Sequence, residues 1–375
     1  MFNNKLIHFF FSLPGLFAVL YFSFLYFVLY VERRVGDQAL RDQVLAGQGE
    51  AYQVEVRKVG RDIIEVSVEL FKIMIPTLIV VKILQELGIV DLLTALLAPA
   101  MSFIGLSADL AVVLTTTMLT NPYAGLIVFA GSPAVDGLTV GQASIAASFM
   151  LFTHSLPVEI LISRKAGVRM RVTILLRIGG AFLFCFILHH ILQLTGWLNA
   201  QAFVSLPQFT QSSSLLEWGV DQIKGLFFVQ LIIIVLLFFL EFLRIIGVER
   251  LIRMALHPFL KFMGVGDKAA TIAVVGVTLG LGFGGGLLIK EVSKAEIPRK
   301  DVFGVLCFIN LLHSVFEDTS VVMLLGPNLL IVLIGRTLYA MLIVYALMRV
   351  VKSLPDAVWL RYLTNDRIPA HSPAM

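Results

Sequence analysis

The sequence predicts an all-α polytopic membrane protein built from two inverted repeats. Three observations carry this: apolar composition, an internal repeat, and the placement of Lys and Arg. Of the 375 residues, 58% are hydrophobic and only 14% charged. That is more apolar surface than a soluble chain of this length can bury, which assigns it to a bilayer. The net charge of +4 needs no nucleic-acid partner, because basic residues on the cytoplasmic side of a membrane protein give the same bias.

The first apolar stretch, about residues 6–31, is too long for a signal-peptide core and lacks a small-residue cleavage site, so it is expected to remain as a transmembrane helix. A basic loop follows at 32–66. From there the chain aligns with itself at an offset of 159 residues without a gap. The offset pairs Gly88 with Gly247, Pro99 with Pro258, Gly105 with Gly264, Gly125 with Gly284, His154 with His313, Ser155 with Ser314, and Arg177 with Arg336. Gly, Pro, His and Arg holding one register over so long a span point to a duplication.

Each copy has four apolar segments, at 68–88, 107–130, 141–162 and 172–194, then at 222–246, 268–289, 301–325 and 329–351. After the first segment of each copy comes an amphipathic stretch, "DLLTALLAPAMSFIG" (91–105) or "RLIRMALHPFLKFMG" (250–264), suited to a helix lying at the membrane surface.

Charge placement then sets the topology. Residues 83–163 and 185–223 contain no Lys or Arg, whereas 32–61, "SRKAGVRMR" (163–171), 244–268, "KEVSKAEIPRK" (290–300) and the tail are basic. The positive-inside rule is satisfied throughout only if the second segment of each copy enters and leaves on one side. Both second segments contain a break suited to such a turn, "TNPYAG" (120–125) and "GLGFGGG" (280–286). The first hairpin then opens outside and the second inside.

The expected organisation is an N-terminal transmembrane helix (1–31), the basic loop (32–66), repeat 1 (67–194), an extracytoplasmic linker (195–220), repeat 2 (221–352) and a cytoplasmic tail (353–375). Each repeat has three transmembrane helices, one re-entrant broken-helix hairpin and one interfacial helix. The N-terminus is outside and the C-terminus inside. Inverted repeats with broken helices are the usual architecture of secondary transporters.

The expected binding residues sit at the breaks and in the third segments. His154 and Ser155 are followed by Glu159, and His313 and Ser314 by Glu317 and Asp318. Ionisable groups inside a membrane are costly and are functional candidates by default. His313 and Glu317, four apart, are expected to share a helix face. Pro157 is expected to bend its helix and free a carbonyl near the cluster. The alternative is that these groups pair with one another or with Arg177 and Arg336 as structural ties. Asn121, Gly125, Gly282 and Gly284 are expected to contact solute, with close helix packing through small residues as the alternative.

Two matches are fortuitous. "GLGFGG" fits a dinucleotide fingerprint without a βαβ unit, and "GVGD" (264–267) resembles a protease motif without its partner residues. No enzyme, catalytic residue or cofactor is expected. The two cysteines, Cys185 and Cys307, lie in apolar segments and read as packing residues.

The stretch "LLAPAMSFIGLSADLAVVLTTTMLTNPYAGL", with its second copy "MALHPFLKFMGVGDKAATIAVVGVTLGLGFGGGLL", resembles the Gate or nucleoside-recognition domain of bacterial spore maturation proteins A and B. The same domain occurs in the membrane part of B-type ferrous iron transporters and, more distantly, in nucleoside transporters. The resemblance covers about residues 65–350.

It implies a bacterial inner-membrane protein that transports or gates a small polar solute, nucleosides among the candidates, with the broken segments near the pathway; the membrane-embedded His and carboxylate residues themselves suggest Na⁺ or H⁺ coupling. No nucleic acid is expected as a partner, and membrane lipid and a homo-oligomer are. Two other readings stand beside transport: a non-transporting partner in envelope or spore-type assembly, and a divalent-cation pathway.

Overall fold

The computed structural model describes residues 49–135, 137–207, 214–245, scattered positions between 254 and 278, and 298–365. The expected first transmembrane helix, most of the second surface helix and the "GLGFGGG" break, with Gly282 and Gly284, lie outside the described residues. Everything described is helical or connecting, with no strand.

Helix α1 (Gly49–Glu86) runs for 38 residues, roughly 57 Å at 1.5 Å per residue. Residues 49–66, expected within a loop, are therefore its first turns. Gly88, at φ 69°, turns the chain into α2 (Ile89–Phe103), where the first surface helix was expected. Leu92, Leu96 and Phe103 form an exposed apolar face on α2.

Next come α3 (Leu110–Leu119) and α4 (Pro122–Ala130). At about 15 Å and 14 Å, each is half the thickness of a hydrocarbon core, and they pack against each other. Their break falls in "TNPYAG". Asn121 is extended and its Oδ1 accepts from the Ala124 amide at 2.9 Å, while Pro122 opens α4 where no amide is needed. Gly125 faces Thr117 across this hairpin, so closely that a Cβ there would collide with the threonine hydroxyl. Close packing is therefore its visible role. Gly125→Ala should destabilise the hairpin by about 1–3 kcal/mol, and Thr117→Ala should restore part of the loss. Equal melting temperatures for Gly125→Ala and wild type would contradict this.

Among the described residues, five helices are long and apolar enough to cross a membrane: Val140–Lys165, Met170–Thr195, Leu215–Leu240, Arg299–Leu325 and Leu330–Ser353. The first and fourth are 72% and 78% buried against 22–33% for the other three, so they form the centre.

Both central spans are broken. The first consists of α5 (Val140–Thr153), started by a reciprocal Thr139–Gln142 capping box, and α6 (Leu156–Lys165). The second consists of α7 (Arg299–Leu311), α8 (Val315–Val322) and a 3₁₀ turn (Met323–Leu325). The breaks occupy equivalent positions, with Ser155 at φ 51° and Ser314 at φ 45°. A left-handed non-glycine residue costs on the order of 1–2 kcal/mol, yet it occurs in both copies. Pro157 lies in the first turn of α6, after the break, so Ser155 rather than Pro157 makes the bend.

The two spans run antiparallel. Asn310 Nδ2 donates to Ser163 Oγ at one end (2.9 Å), and the Asn328 amide donates to Ser144 Oγ towards the other (2.8 Å). Outside them lie α9 (Met170–Ile174), which passes through a π turn (Leu175–Gly179) into α10 (Gly180–Thr195), and α11 (Leu215–Ile245). A second π turn (Leu330–Gly335) leads into α12 (Arg336–Ser353).

The tail does not simply trail away. Helix α13 (Asp356–Leu363) buries Trp359 against Phe303. Residues 362–365 lie along the basic 163–171 loop: the Arg169 amide donates to Leu363 O (3.1 Å), Arg169 Nε to Thr364 O (2.6 Å), and the Asn365 amide to Gly167 O (2.9 Å). Two segments that the charge pattern assigned to one side thus meet at one end of the molecule.

Candidate functional site

A helix break leaves carbonyls without their intrahelical donors, and inside a membrane those carbonyls need other partners. Two fully buried arginines supply them. Arg177, in the first π turn, donates through Nη2 to His154 O at 2.7 Å. Arg336, just after the second, donates through Nε to Leu311 O (3.2 Å) and through Nη2 to Leu151 O (3.1 Å) and His313 O (3.5 Å). Its guanidinium also lies 5.6 Å from the Phe152 ring centroid. The π turns fall where an added residue per turn can re-aim a side chain.

The breaks bring His154 and His313 together, with their Nε2 atoms 3.1 Å apart. Each Nδ1 is tied to a carbonyl one turn back, Met150 O at 3.1 Å and Ile309 O at 2.8 Å. The carboxylates cross between copies. Glu159 Oε1 is 2.9 Å from His313 Nε2 and 3.6 Å from His154 Nε2, and Asp318 Oδ2 is 3.3 Å from His154 Nε2. Glu159 also forms a buried ion pair with Arg177. The equivalent pair, Asp318 and Arg336, is not among the ion pairs of the described residues; the shorter aspartate turns to histidine instead. A second pair of equivalent residues also meets, with Tyr339 Oη donating to Gly180 O at 2.8 Å.

Of the expected site residues, His154, Glu159, His313 and Asp318 converge. Ser155 acts elsewhere, since its hydroxyl donates to Thr120 O at 2.6 Å and fastens the break of the central span to the break between α3 and α4. Ser314 supplies the left-handed turn. Glu317 stands apart from the histidines, because His313 lies in the break rather than on the helix, and the expected shared face does not form. Its neighbour is the Tyr123 hydroxyl on α4.

Asn121 Nδ2, Ser148 Oγ and Thr319 Oγ1 are buried without hydrogen-bond partners. Asn121 caps α4, Ser148 lies on α5 and Thr319 on α8, and α8 packs against both of the other helices. The residue reading named Arg177 and Arg336 only as alternative structural ties and did not name Tyr123. For the arginines the signal was present, since both occupy one register of the repeat inside apolar segments.

No family model and no solved structure matches the chain. It is 31% identical over 280 residues to the "Uncharacterized membrane protein YvoD" of Bacillus subtilis (strain 168), an alignment covering 74% of this chain and 88% of that protein. The chain belongs to the family of the Bacillus subtilis membrane protein YvoD.

Proposed function

We propose that this protein carries a small polar solute across the bacterial inner membrane. In this reading two inverted, Gate-type repeats move against each other around a site where their broken helices meet. The observation that carries it is the buried contact between His154 and His313, with a carboxylate from each copy reaching the other copy's histidine. Structural needs alone do not call for so many ionisable groups at such depth, and groups of this kind mark ion and solute pathways.

Equivalent residues 159 positions apart meet twice, at His154–His313 and Gly180–Tyr339, as they would along a two-fold axis. The antiparallel course of the two central spans supports an axis in the membrane plane, the arrangement of inverted-repeat transporters. The gathering of basic residues at the 163–171 and 356–365 end supports placing that end, and the C-terminus, inside. Partnerless polar groups on α4, α5 and α8 offer hydrogen bonds to a solute, and Glu317 beside Tyr123 extends the polar path.

Uptake into proteoliposomes tests the proposal, with a panel of nucleosides, nucleobases, amino acids and divalent metals, each with and without Na⁺ and proton gradients. Asp318→Asn and Glu317→Gln should each abolish uptake while leaving the protein folded. Undiminished uptake by both variants would sink the site assignment. Failure of the wild type to move anything would favour the assembly-partner reading.

A further inference from the structure

We infer that His154, His313 and Asp318 form a binding site for one divalent transition-metal ion of the zinc class. The inference names the solute class of the transport reading and rests on that reading for its role, though not for the binding itself.

Hydrogen-bond chemistry supplies the first step. Met150 O and Ile309 O lie 3.1 and 2.8 Å from the two Nδ1 atoms. A carbonyl can only accept, so each Nδ1 carries a proton, which leaves each Nε2 as the ring nitrogen available to a metal. Those two potential ligand atoms face each other across 3.1 Å. Asp318 Oδ2 adds a third at 3.3 Å from His154 Nε2, and the oxygen has no hydrogen-bond donor although the residue is only 7% exposed. All three atoms lie within 4.8 Å of one another.

Glu159 Oε1 also lies 2.9 Å from His313 Nε2 and 3.6 Å from His154 Nε2, so carboxylates from both halves surround the facing nitrogens. A cation between them offers all of these groups a shared partner.

The spacing fits a particular class of cation. Zinc sits about 2.0–2.2 Å from imidazole nitrogen and carboxylate oxygen, which at tetrahedral angles separates neighbouring ligand atoms by about 3.3 Å. Imidazole ligands favour zinc and its neighbours over magnesium and calcium, which take oxygen. A ring whose other nitrogen donates to a backbone carbonyl is oriented as metal-binding histidines usually are.

Charge also favours a cation. Glu159 neutralises Arg177, whereas Asp318 has no Lys or Arg in ion-pair range among the described residues and can complement a cation. Three ligand atoms leave a fourth position, which water or the nearby Glu159 carboxylate can take and give up, unlike the closed four-ligand sites of structural zinc.

The test uses the purified full chain in detergent, stripped of metal, titrated with Zn²⁺ by calorimetry and with Co²⁺ by visible absorption. The expected result is one ion per chain, with Co²⁺ bands of a nitrogen-coordinated site that Zn²⁺ displaces. His313→Gln and Asp318→Asn should each weaken binding by roughly 100-fold or more, since losing even a supporting partner of a ligand costs 10–100-fold. A His189→Gln/His190→Gln control, distant in the chain from the cluster, should bind as the wild type does.

Absence of binding by the wild type overturns the inference whatever the variants do, as does binding that persists in both ligand variants. Proteoliposome uptake separates the two claims. Transport of another solute without metal binding leaves the transport reading standing and removes this one. Metal binding without uptake of any solute does the reverse.

Discussion

Glu159→Leu should cost the folded protein about 3–5 kcal/mol, because it strands the Arg177 guanidinium in the interior without its carboxylate. Both side chains are almost wholly enclosed, with Glu159 6% and Arg177 0% exposed. Thermal unfolding in detergent is the measurement, and a loss under about 1 kcal/mol would show that the pair is not a structural tie. Adding Arg177→Met should recover part of the loss, since a buried pair replaced whole by apolar groups is often nearly neutral. Recovery should stay incomplete, because Arg177 also serves the His154 carbonyl and a buried acceptor without a donor costs about 1–3 kcal/mol. Asp318→Asn should behave differently. With no guanidinium in ion-pair range among the described residues, Asp318 can lose its charge with little structural penalty, so the same position in the two copies separates stability from function.

Gly326→Ala should be almost as damaging. At φ 77° the glycine lies in the left-handed region, where a Cβ costs on the order of 1–2 kcal/mol. A Cβ would also stand 2.6 Å from Phe203 O and 2.9 Å from Phe203 N. These are backbone atoms that no rotamer change can move aside. The neighbouring Ser205 amide donates to Leu324 O at 2.8 Å, so shifting Phe203 also breaks the contact that holds the 201–207 segment against the second central span. A total near 3 kcal/mol or more follows. A variant that melts with the wild type would mean that this segment is free to lift away. Gly167, the equivalent glycine at φ 112°, occupies the opposite end, where Asn365 docks on its carbonyl.

Several elements could be read from residue order because they depend on local chemistry. The break in "TNPYAG" follows from Pro122 and from an Asn121 side chain that caps the next helix. A helix lies where the apolar periodicity of 91–105 indicated one. The central spans were visible as apolar runs interrupted by His and acid. The equivalence of His154 with His313 and of Arg177 with Arg336 required only sliding the chain against itself.

Other features needed three dimensions. Periodicity ran through Ser314 without a signal, so Glu317 was expected on the His313 face. A left-handed serine instead turns α8 and brings Asp318 to the histidines, a choice made by the arginines that wait to satisfy the freed carbonyls. Pro157 marked the right region but not the residue that bends. Thr117 occupies the space where a Cβ at Gly125 would stand, a contact that only the folded hairpin reveals.

Alone, the sequence determined that this is an all-helical membrane protein with broken helices and a doubled polar motif, because hydropathy, turn residues and repeats are written locally. Which acid meets which histidine, which arginine is spent on an ion pair, and that two left-handed serines set the geometry were decided only by tertiary structure. Those outcomes depend on which unpaired backbone and side-chain groups come within reach of each other once the two central spans are packed antiparallel.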